Sequence, residues 1–144
     1  MNFRVEDKRI FITLAAGDYI NKSFESLAEG RNISAAWLNG IGAIQDPEIG
    51  FYSLSSKSYL RKQFMGEFEL TSLNGNITLR DGEPFAHTHI TFSDSDYKVF
   101  GGHLFDAKIT AAGEFILNPG SENITRKMNE KIGLPLWCLE DTLD

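Results

Sequence analysis

The stretch DGEPFAHTHITF, residues 81–92, contains the signals that decide the fold. Its first four residues combine Asp, Gly and Pro, which are typical of a tight turn. The eight residues that follow, 85–92, are rich in β-branched and aromatic side chains and predict a β-strand. The acidic sequence Asp-Ser-Asp at 94–96 indicates a second turn. The segment therefore predicts a strand between two turns, as in an antiparallel sheet.

Other strand-like segments lie on both sides of this one. They cover residues 9–14, 33–44, 49–54, 59–64, 68–79, 98–100 and 108–117. One early segment has a helical spacing of apolar residues instead, formed by Ile20, Phe24, Leu27 and Ala28. We expect this helix to begin at Asp18, as the N-cap, and to end near Gly30. Many strands and one main helix packed on them predict an α+β fold with a largely antiparallel β-sheet.

Two further segments carry local predictions. Gly40 and Gly42 interrupt the strand 33–44, and such glycines indicate a bulge or the close approach of another backbone. In the tail, residues 126–132 predict a short helical turn, followed by Gly133 and an apolar segment through Trp137. Because domains most often have roughly 100–150 residues, we expect a single domain over 1–144. Its core covers about 5–118, and 119–144 form a C-terminal extension.

The composition excludes several classes of protein. Of 144 residues, 42% are hydrophobic and 11 are Phe, which is enough for a core and excludes a disordered chain. No run approaches the ~20 apolar residues of a membrane helix, and the N-terminus lacks the pattern of a signal peptide. Cys138 is the only cysteine, which excludes an intrachain disulfide and Cys-rich zinc modules. We therefore expect a cytoplasmic protein.

The charge balance bears on partners. The chain has 14 Lys+Arg and 20 Asp+Glu, so its formal net charge is −6. Nucleic-acid binding depends largely on Lys and Arg contacts with phosphates. The densest group of cations is small and is expected to be a solvated loop and strand face; it consists of Lys57, Arg61 and Lys62. The charge therefore disfavours DNA as a partner.

All the histidines of the chain fall within residues 87–103. His87 and His89 are two apart in a predicted strand, so their imidazoles share one face. If the strands 85–92 and 98–105 form a hairpin, His103 lies near the pair, and Gly101 and Gly102 would allow a bulge that aims it. Three neutral imidazoles suit Zn²⁺ and leave a fourth position for water or substrate. The pattern predicts a divalent metal site with zinc as the expected ion; a structural polar cluster is the alternative.

The sequence names no catalytic residue. Zinc catalysis would need a general acid or base, but Glu83, Asp94 and Asp96 lie in predicted turns and are expected to be solvated there. Asp106 is the one candidate for a residue that contacts the metal ligands without contacting the metal ion itself. There is no nucleophile elbow or phosphate-binding loop, and the glycines around Ile41 lack the third glycine of a dinucleotide-binding fingerprint. No organic cofactor is predicted.

Four motifs, in this order, resemble the PPC domain, a family conserved in plants and prokaryotes. They are AWLNGIGA at 36–43, GEFELTSLNGN at 66–76, DGEPFAHTH at 81–89 and GGHL at 101–104. The resemblance covers roughly residues 5–118. It implies an α+β domain with an antiparallel sheet that assembles as a homotrimer. For some members it also implies a metal ion held by histidines, which here are His87, His89 and His103. Prokaryotic members are described as predicted DNA-binding proteins.

Two departures from the family weaken a role with DNA. Plant members carry an AT-hook, Arg-Gly-Arg-Pro, which inserts into the minor groove. The four prolines here follow Asp46, Glu83, Asn118 and Leu134, so this chain contains no hook. The plant motif Gly-Arg-Phe-Glu also has arginine where this chain has Glu67. Three functions stay open: a metal-binding trimer with a small-molecule or hydrolytic role, a DNA-associated regulatory module, and an assembly scaffold with structural metal.

Overall fold

One helix and nine strands make up the part of the chain that this computed structural model describes, residues 1–139. The helix, α1, covers Ile20–Arg31. The strands are β1 Asn2–Glu6, β2 Arg9–Ala15, β3 Ala35–Ser53, β4 Ser58–Gln63, β5 Glu67–Arg80, β6 Glu83–Ser93, β7 Val99–Pro119, β8 Thr125–Asn129 and β9 Leu134–Cys138. Strands predicted as separate pieces are continuous: 33–44 and 49–54 both belong to β3, and 98–100 and 108–117 both belong to β7.

The strands form one nine-stranded sheet in the order β1-β2-β7-β3-β5-β8-β9, with β4 paired to β3 and β6 paired to both β5 and β7. All pairs are antiparallel except β5 with β8. Because β3, β5, β6 and β7 each pair with two of the other three, these four long strands form a closed circuit. The predicted α+β fold with a largely antiparallel sheet and one helix is confirmed.

The core lies between the helix and the inner face of the sheet. In β2, Ile10, Ile12 and Leu14 alternate with exposed residues, as expected for a strand with one buried face. The ring of Phe24 in α1 packs edge-on against Phe115 of β7, with centroids 5.0 Å apart. Burial of each such side chain stabilises the fold by about 1.5–3 kcal/mol. Within residues 1–139, no helix is long and apolar enough to cross a membrane.

The predicted N-cap at Asp18 is wrong. Tyr19 occupies the N-cap position of α1 and makes no side-chain hydrogen bond there. The Asp18 carboxylate instead accepts a hydrogen bond from the backbone N–H of Ala15, at 2.9 Å, and pairs with the amino group of Met1 at 2.8 Å. These two contacts lower the pKa of Asp18. The carboxylate thus faces back toward β2, where two donors are in reach, rather than forward to the helix.

The predicted irregularity at Gly40 and Gly42 is confirmed. The register between β3 and β5 shifts between these two residues. A Cβ atom on Gly42 would lie 2.7 Å from the carbonyl oxygen of Ala112 and 2.8 Å from Cα of Gly113. The neighbouring strand β7 approaches β3 too closely here for a side chain, as the sequence indicated.

The predicted helical turn over residues 126–132 is wrong. The tail forms a hairpin instead, in which β8 pairs with β9 and, in parallel, with the end of β5 at Leu79 and Arg80. Arg126 fixes β8 in place, because its side chain donates hydrogen bonds to groups on β5 and β9. These contacts override the helix propensity of Arg, Lys and Met. The last five residues of the expected extension 119–144 lie outside the described residues.

Candidate metal centre

The three histidines converge on one face of the sheet. His87 and His89 lie on β6 and alternate with the buried residues Ala86, Thr88 and Ile90, so both imidazoles are on the same side of the strand. His103 of β7 is the direct cross-strand partner of His89. Each histidine offers one ring nitrogen that lies within 4.8 Å of the nitrogens of the other two. The structure therefore brings together all three candidate ligands that the sequence selected.

The hairpin that aligns His103 is regular, so the bulge expected at Gly101 and Gly102 is wrong. Pairing runs without a shift from His89 opposite His103 to Ser93 opposite Val99. The irregularity lies instead on the other edge of β7, between Glu48 and Ile49 of β3, where Phe105 is the extra residue. The two glycines serve close packing, since a Cβ on Gly101 would lie 2.8 Å from the carbonyl oxygen of Ile90.

Aromatic rings hold His103 from the side of β4. Its imidazole stacks on Tyr59, with centroids 4.8 Å apart, and contacts Phe105 edge-on at 5.1 Å. Gly50 pairs with His103 across β3 and β7. A Cβ there would come within 2.8 Å of both Tyr59 and Phe105, so glycine leaves the space that these rings fill. No local pattern in the sequence indicates Tyr59 or Gly50, because both lie on strands distant from the histidine motifs.

Burial keeps the imidazoles neutral. It lowers the pKa of His87 and of His103 to about 4 each, with smaller contributions from nearby Arg126 and from the other histidines. The pKa of His89 is also lowered by burial. A neutral imidazole has a free lone pair, which is the form that binds a metal ion. At neutral pH the cluster therefore presents three ligands in the required state.

An unpartnered ring nitrogen tests whether a metal ion fits. Nδ1 of His103 is buried and has no hydrogen-bond partner in the described structure. A buried polar atom without a partner is rare and costs free energy. A divalent cation bound at this nitrogen would supply the missing partner, and nitrogen ligands suit zinc. The residues present therefore fit the ion that the sequence predicts.

Arg126 is a part of this site that sequence analysis missed. One of its terminal nitrogens, Nη2, lies 3.3 Å from Nδ1 of His87 and donates to Oδ1 of Asn76 at 2.8 Å. Nε donates to Oγ1 of Thr78, and Nη1 donates to the carbonyl oxygen of Pro135. Burial, and then the charge of nearby Arg80, lowers the pKa of the guanidinium. Gly133 before an apolar segment could have indicated a hairpin and so placed Arg126 on a strand.

His87 and His103 line a cleft of about 700 Å³. Its walls come from the β4 and β7 strands, the start of α1 and the tail hairpin. Charged and aromatic residues line it near the histidines, among them Tyr59, Arg61, Arg80, Phe85 and Arg126. The apolar segment 134–136 closes one side. A small molecule in this cleft would reach the imidazoles of His87 and His103 and the guanidinium groups together.

Asp106 lines the same cleft but does not contact the imidazoles. One carboxylate oxygen accepts hydrogen bonds from the backbone N–H of Asn21, at 3.1 Å, and of Ala107, at 2.9 Å. Burial raises its pKa. No hydrogen bond joins it to a histidine in residues 1–139. Its role in supporting the ligands stays a prediction. Asp94, in contrast, has the expected turn role, since it accepts from the backbone N–H groups of Asp96 and Lys98.

The fold and the site together define a class: an α+β protein with a largely antiparallel sheet and a three-histidine face beside a cleft. The chain belongs to the Plants and Prokaryotes Conserved (PCC) domain family, also written PPC, whose model matches residues 1–119. The resemblance found in the motifs is thereby confirmed. No curated protein matches the chain.

Solved structures similar to this chain come from bacteria and archaea. A candidate DNA-binding protein from Bacteroides thetaiotaomicron is 30% identical, with TM-score 0.93, and the match covers 97% of this chain and 98% of that one. A PPC protein from Pyrococcus horikoshii is 31% identical, with TM-score 0.86, over 98% and 97% of the two chains. A protein from Archaeoglobus fulgidus described as metal-containing is 34% identical, with TM-score 0.84, over 96% and 97%.

Proposed function

We propose that this PPC protein binds one divalent metal ion through His87, His89 and His103 and offers the ion to a small molecule in the adjoining cleft. Zinc is the expected ion. The observation that carries the proposal is the convergence of three neutral imidazoles whose ring nitrogens lie within 4.8 Å of one another. The similar protein from Archaeoglobus fulgidus, described as metal-containing, supports it.

The ligand set favours an open metal site over a structural one. Structural zinc sites have four protein ligands, whereas sites that act on a substrate keep one position for water or substrate. In the described residues the group of potential ligands consists of the three histidines, with no cysteine or carboxylate within the same distance. A metal ion in such a site lowers the pKa of bound water and polarises bound oxygen atoms, which is the basis for a hydrolytic role. The scaffold alternative is therefore the weaker one.

The chain's own residues would exclude water from one side of the ion and supply donors on the other. Tyr59 and Phe105 cover His103 and form an aromatic wall. Arg126 brings a guanidinium to the edge of His87. These two sides differ in polarity, so a molecule that enters the cleft would be oriented. The named groups bind and orient a ligand, and we assign none of them to proton transfer.

DNA binding is the alternative, and it rests on the description of similar proteins. The cations that form the densest group in the sequence are each engaged locally. Lys57 donates to the carbonyl oxygen of Glu130, Arg61 pairs with Glu48 at 2.7 Å, and Lys62 lies over the ring of Phe64. With net charge −6, we expect no sequence-specific duplex binding in a salt-dependent gel-shift assay. Tight retention of one duplex sequence would favour the alternative.

Self-association into a homotrimer is part of the proposal and follows from the family. Large apolar side chains remain exposed on the outer face of the sheet, among them Phe11, Trp37 and Ile41. Burial of such a patch between copies would stabilise an assembly. Light scattering should therefore give a mass near three times 16.1 kDa. A monomer at micromolar concentration would contradict the trimer without affecting the metal site.

The metal itself is tested by its content in purified protein. Wild-type protein expressed with added zinc should contain one ion per chain by mass spectrometry. His89→Ala removes one of three ligands and should weaken metal binding by about 2 kcal/mol or more, which is about 30-fold. Thr91→Ala is the matched control, because Thr91 lies on the same face of β6, two residues further along. Equal metal content in wild type and His89→Ala, or none in wild type, would contradict the proposal.

A further inference from the structure

The cleft beside His87 and His103 contains two guanidinium groups, Arg80 and Arg126, that pair with no carboxylate among the described residues. Its acidic residues are already engaged: Glu48 pairs with Arg61, Glu25 accepts from the backbone N–H of Ala86, and Asp106 and Asp46 accept from backbone N–H groups. In residues 1–139 neither Arg80 nor Arg126 forms an ion pair. A guanidinium without a counterion at the edge of a cleft indicates an anionic ligand.

The two guanidinium groups are held in place by aromatic contacts. Arg80 lies 3.9 Å from the ring centroid of Phe85, and Arg126 lies 5.5 Å from the same ring and 5.9 Å from that of Trp137. Hydrogen bonds from Nε and Nη1 of Arg126 to neighbouring strands fix its plane. Because a guanidinium with a fixed plane loses little freedom when it binds, the site is already organised for a planar anion.

Metal binding would release one donor of Arg126. Its Nη2 can donate to Nδ1 of His87 only while that nitrogen carries a lone pair. A metal ion on Nδ1 would take the lone pair. A metal ion on the other ring nitrogen would require the proton on Nδ1, which then could not accept a hydrogen bond. In both cases an N–H group of Arg126 loses its partner beside the ion.

We propose that Arg126, assisted by Arg80, binds the carboxylate of a small organic acid, while a second oxygen of that acid binds the metal ion. This inference rests on the metal site proposed above. A planar carboxylate matches the planar guanidinium. The apolar wall of Phe85 and residues 134–136 would contact the carbon skeleton. A phosphate dianion fits less well, because the two arginines have aromatic neighbours and the backbone N–H of Asn21, at the start of α1, already donates to Asp106.

The test uses full-length protein loaded with Co²⁺, whose visible absorption changes when its ligands change. The probes are lactate, which has a carboxylate beside a hydroxyl, lactamide, which keeps the hydroxyl but is neutral, and inorganic phosphate. We expect lactate to shift the spectrum and to bind at least tenfold more tightly than lactamide or phosphate. Metal-free protein should bind lactate at least tenfold more weakly, as measured by calorimetry, because the metal ligand is missing and Arg126 remains engaged with His87.

Variants assign the effect to the arginines. Arg126→Gln should weaken lactate binding at least tenfold and leave lactamide binding and metal content unchanged. Arg126→Lys keeps the charge but loses the planar fork, and Arg80→Gln removes the second cation, so each should weaken lactate binding several-fold. Arg31→Gln is the matched control, because that guanidinium also lies over an aromatic ring, Phe3, but outside the cleft. It should not change lactate binding.

The outcomes separate this inference from the metal proposal. A protein that binds no metal overturns both. A protein that binds metal but treats lactate and lactamide alike, or prefers phosphate, overturns only the carboxylate site. Lactate binding that is unchanged in Arg126→Gln does the same. If circular dichroism shows that Arg126→Gln is unfolded, Arg126→Lys and Arg80→Gln decide, and wild-type affinity in both would overturn the inference.

Discussion

Both faces of β6 carry polar residues at adjacent positions, but the two faces differ in how completely these residues are hydrogen-bonded. Thr88 lies on the inner face, fully buried, and donates a hydrogen bond to Oδ1 of Asn21 at 2.7 Å. Nδ2 of Asn21 donates in turn to the carbonyl oxygens of Leu104 and Phe105, both at 3.1 Å. Every polar atom of the Asn21 side chain therefore has a partner. This inner network ties α1 to β6 and β7.

The outer face carries the residues directly before and after Thr88, and its hydrogen bonding is incomplete. His87 and His89 there share a cluster with His103, whose Nδ1 is buried without a partner. Imidazole rings face one another with centroids 5.1–5.4 Å apart, and burial lowers the pKa of each. Such a cluster costs free energy in the metal-free protein.

The difference separates residues that stabilise the fold from residues that bind. A satisfied buried network adds stability and fixes the packing, whereas an unsatisfied buried group lowers stability and marks a candidate binding site. We therefore expect changes on the inner face to reduce the free energy of unfolding without a direct effect on ligands. Changes on the outer face should reduce metal binding and have small or even favourable effects on the metal-free fold.

The largest effect on stability is expected from Asn21→Ala. The change removes three side-chain hydrogen bonds, so the Thr88 hydroxyl loses its acceptor and the carbonyl groups of Leu104 and Phe105 each lose a donor. Leaving buried groups unsatisfied costs about 1–3 kcal/mol each, and relaxation reduces the sum, so we expect a loss of about 3 kcal/mol. Urea unfolding of metal-free protein, followed by circular dichroism, measures it.

A second variant checks that the loss comes from the network. Thr88→Val should cost less than Asn21→Ala, and the double variant should cost less than the sum, because the two side chains share one hydrogen bond. Metal content of each folded single variant should stay at the wild-type level. Loss of metal from Thr88→Val, with little change in stability, would show that the two faces are not separate.

A smaller effect of opposite sign is expected from His103→Phe in the metal-free protein. Phenylalanine has a similar shape, can stack on Tyr59 as the imidazole does and removes the unpartnered Nδ1. Replacement of an unsatisfied buried polar group by an apolar group of similar shape can be stabilising, here by about 1 kcal/mol. The variant should also bind metal at least about 30-fold more weakly.

Thermal unfolding in the presence of a chelator gives the stability of His103→Phe. Phe105 lies beside the same ring, so Phe105→Leu is a control for packing alone. It should lower stability and leave the ligand set complete. If His103→Phe were strongly destabilised without metal, the histidine cluster would be a structural element, and the comparison between the faces would fail.

The sequence predicted the part of the site that depends on one strand and one hairpin. Parity along β6 is a property of any strand, so His87 and His89 could be placed on one face from their spacing. A tight turn over 94–96 then brought His103 opposite His89. These relations depend on residues close in sequence, and local patterns describe them well.

The rest of the site depends on contacts between residues far apart in sequence. Tyr59 reaches His103 because β4 pairs with β3 and β3 with β7, which no local pattern shows. Arg126 reaches His87 because the tail forms a hairpin and adds to β5. Its neighbours favour a helix by propensity, but tertiary hydrogen bonds stabilise a strand there instead. Asp18 is a similar case, because its carboxylate contacts the backbone N–H of Ala15 and the amino group of Met1 instead of capping the helix.

The smallest effect is the pH dependence of stability in the metal-free protein, and its sign follows from the histidine pKa values. In the unfolded chain a histidine has a pKa of about 6.5. Folding lowers that of His87 and His103 to about 4, chiefly by burial. As pH falls below 6.5, the unfolded chain therefore takes up protons first, and the free energy of unfolding decreases until pH about 4. Above 6.5 these groups contribute no slope.

Urea midpoints of metal-free protein at pH 7.0, 5.5 and 4.5 would measure this slope against a variant with His87, His89 and His103 all changed to Gln. Carboxylates contribute equally to both proteins, so the difference between the two slopes belongs to the histidines. The difference should be modest, since His87 and His103 are only partly buried and water screens their charge. Equal slopes in both proteins would mean that the imidazoles are as well solvated when folded as when unfolded. The histidine face of β6 would then not differ from the Thr88 face in the cost of burying its polar groups, and the metal proposal would rest on the convergence of the three imidazoles alone.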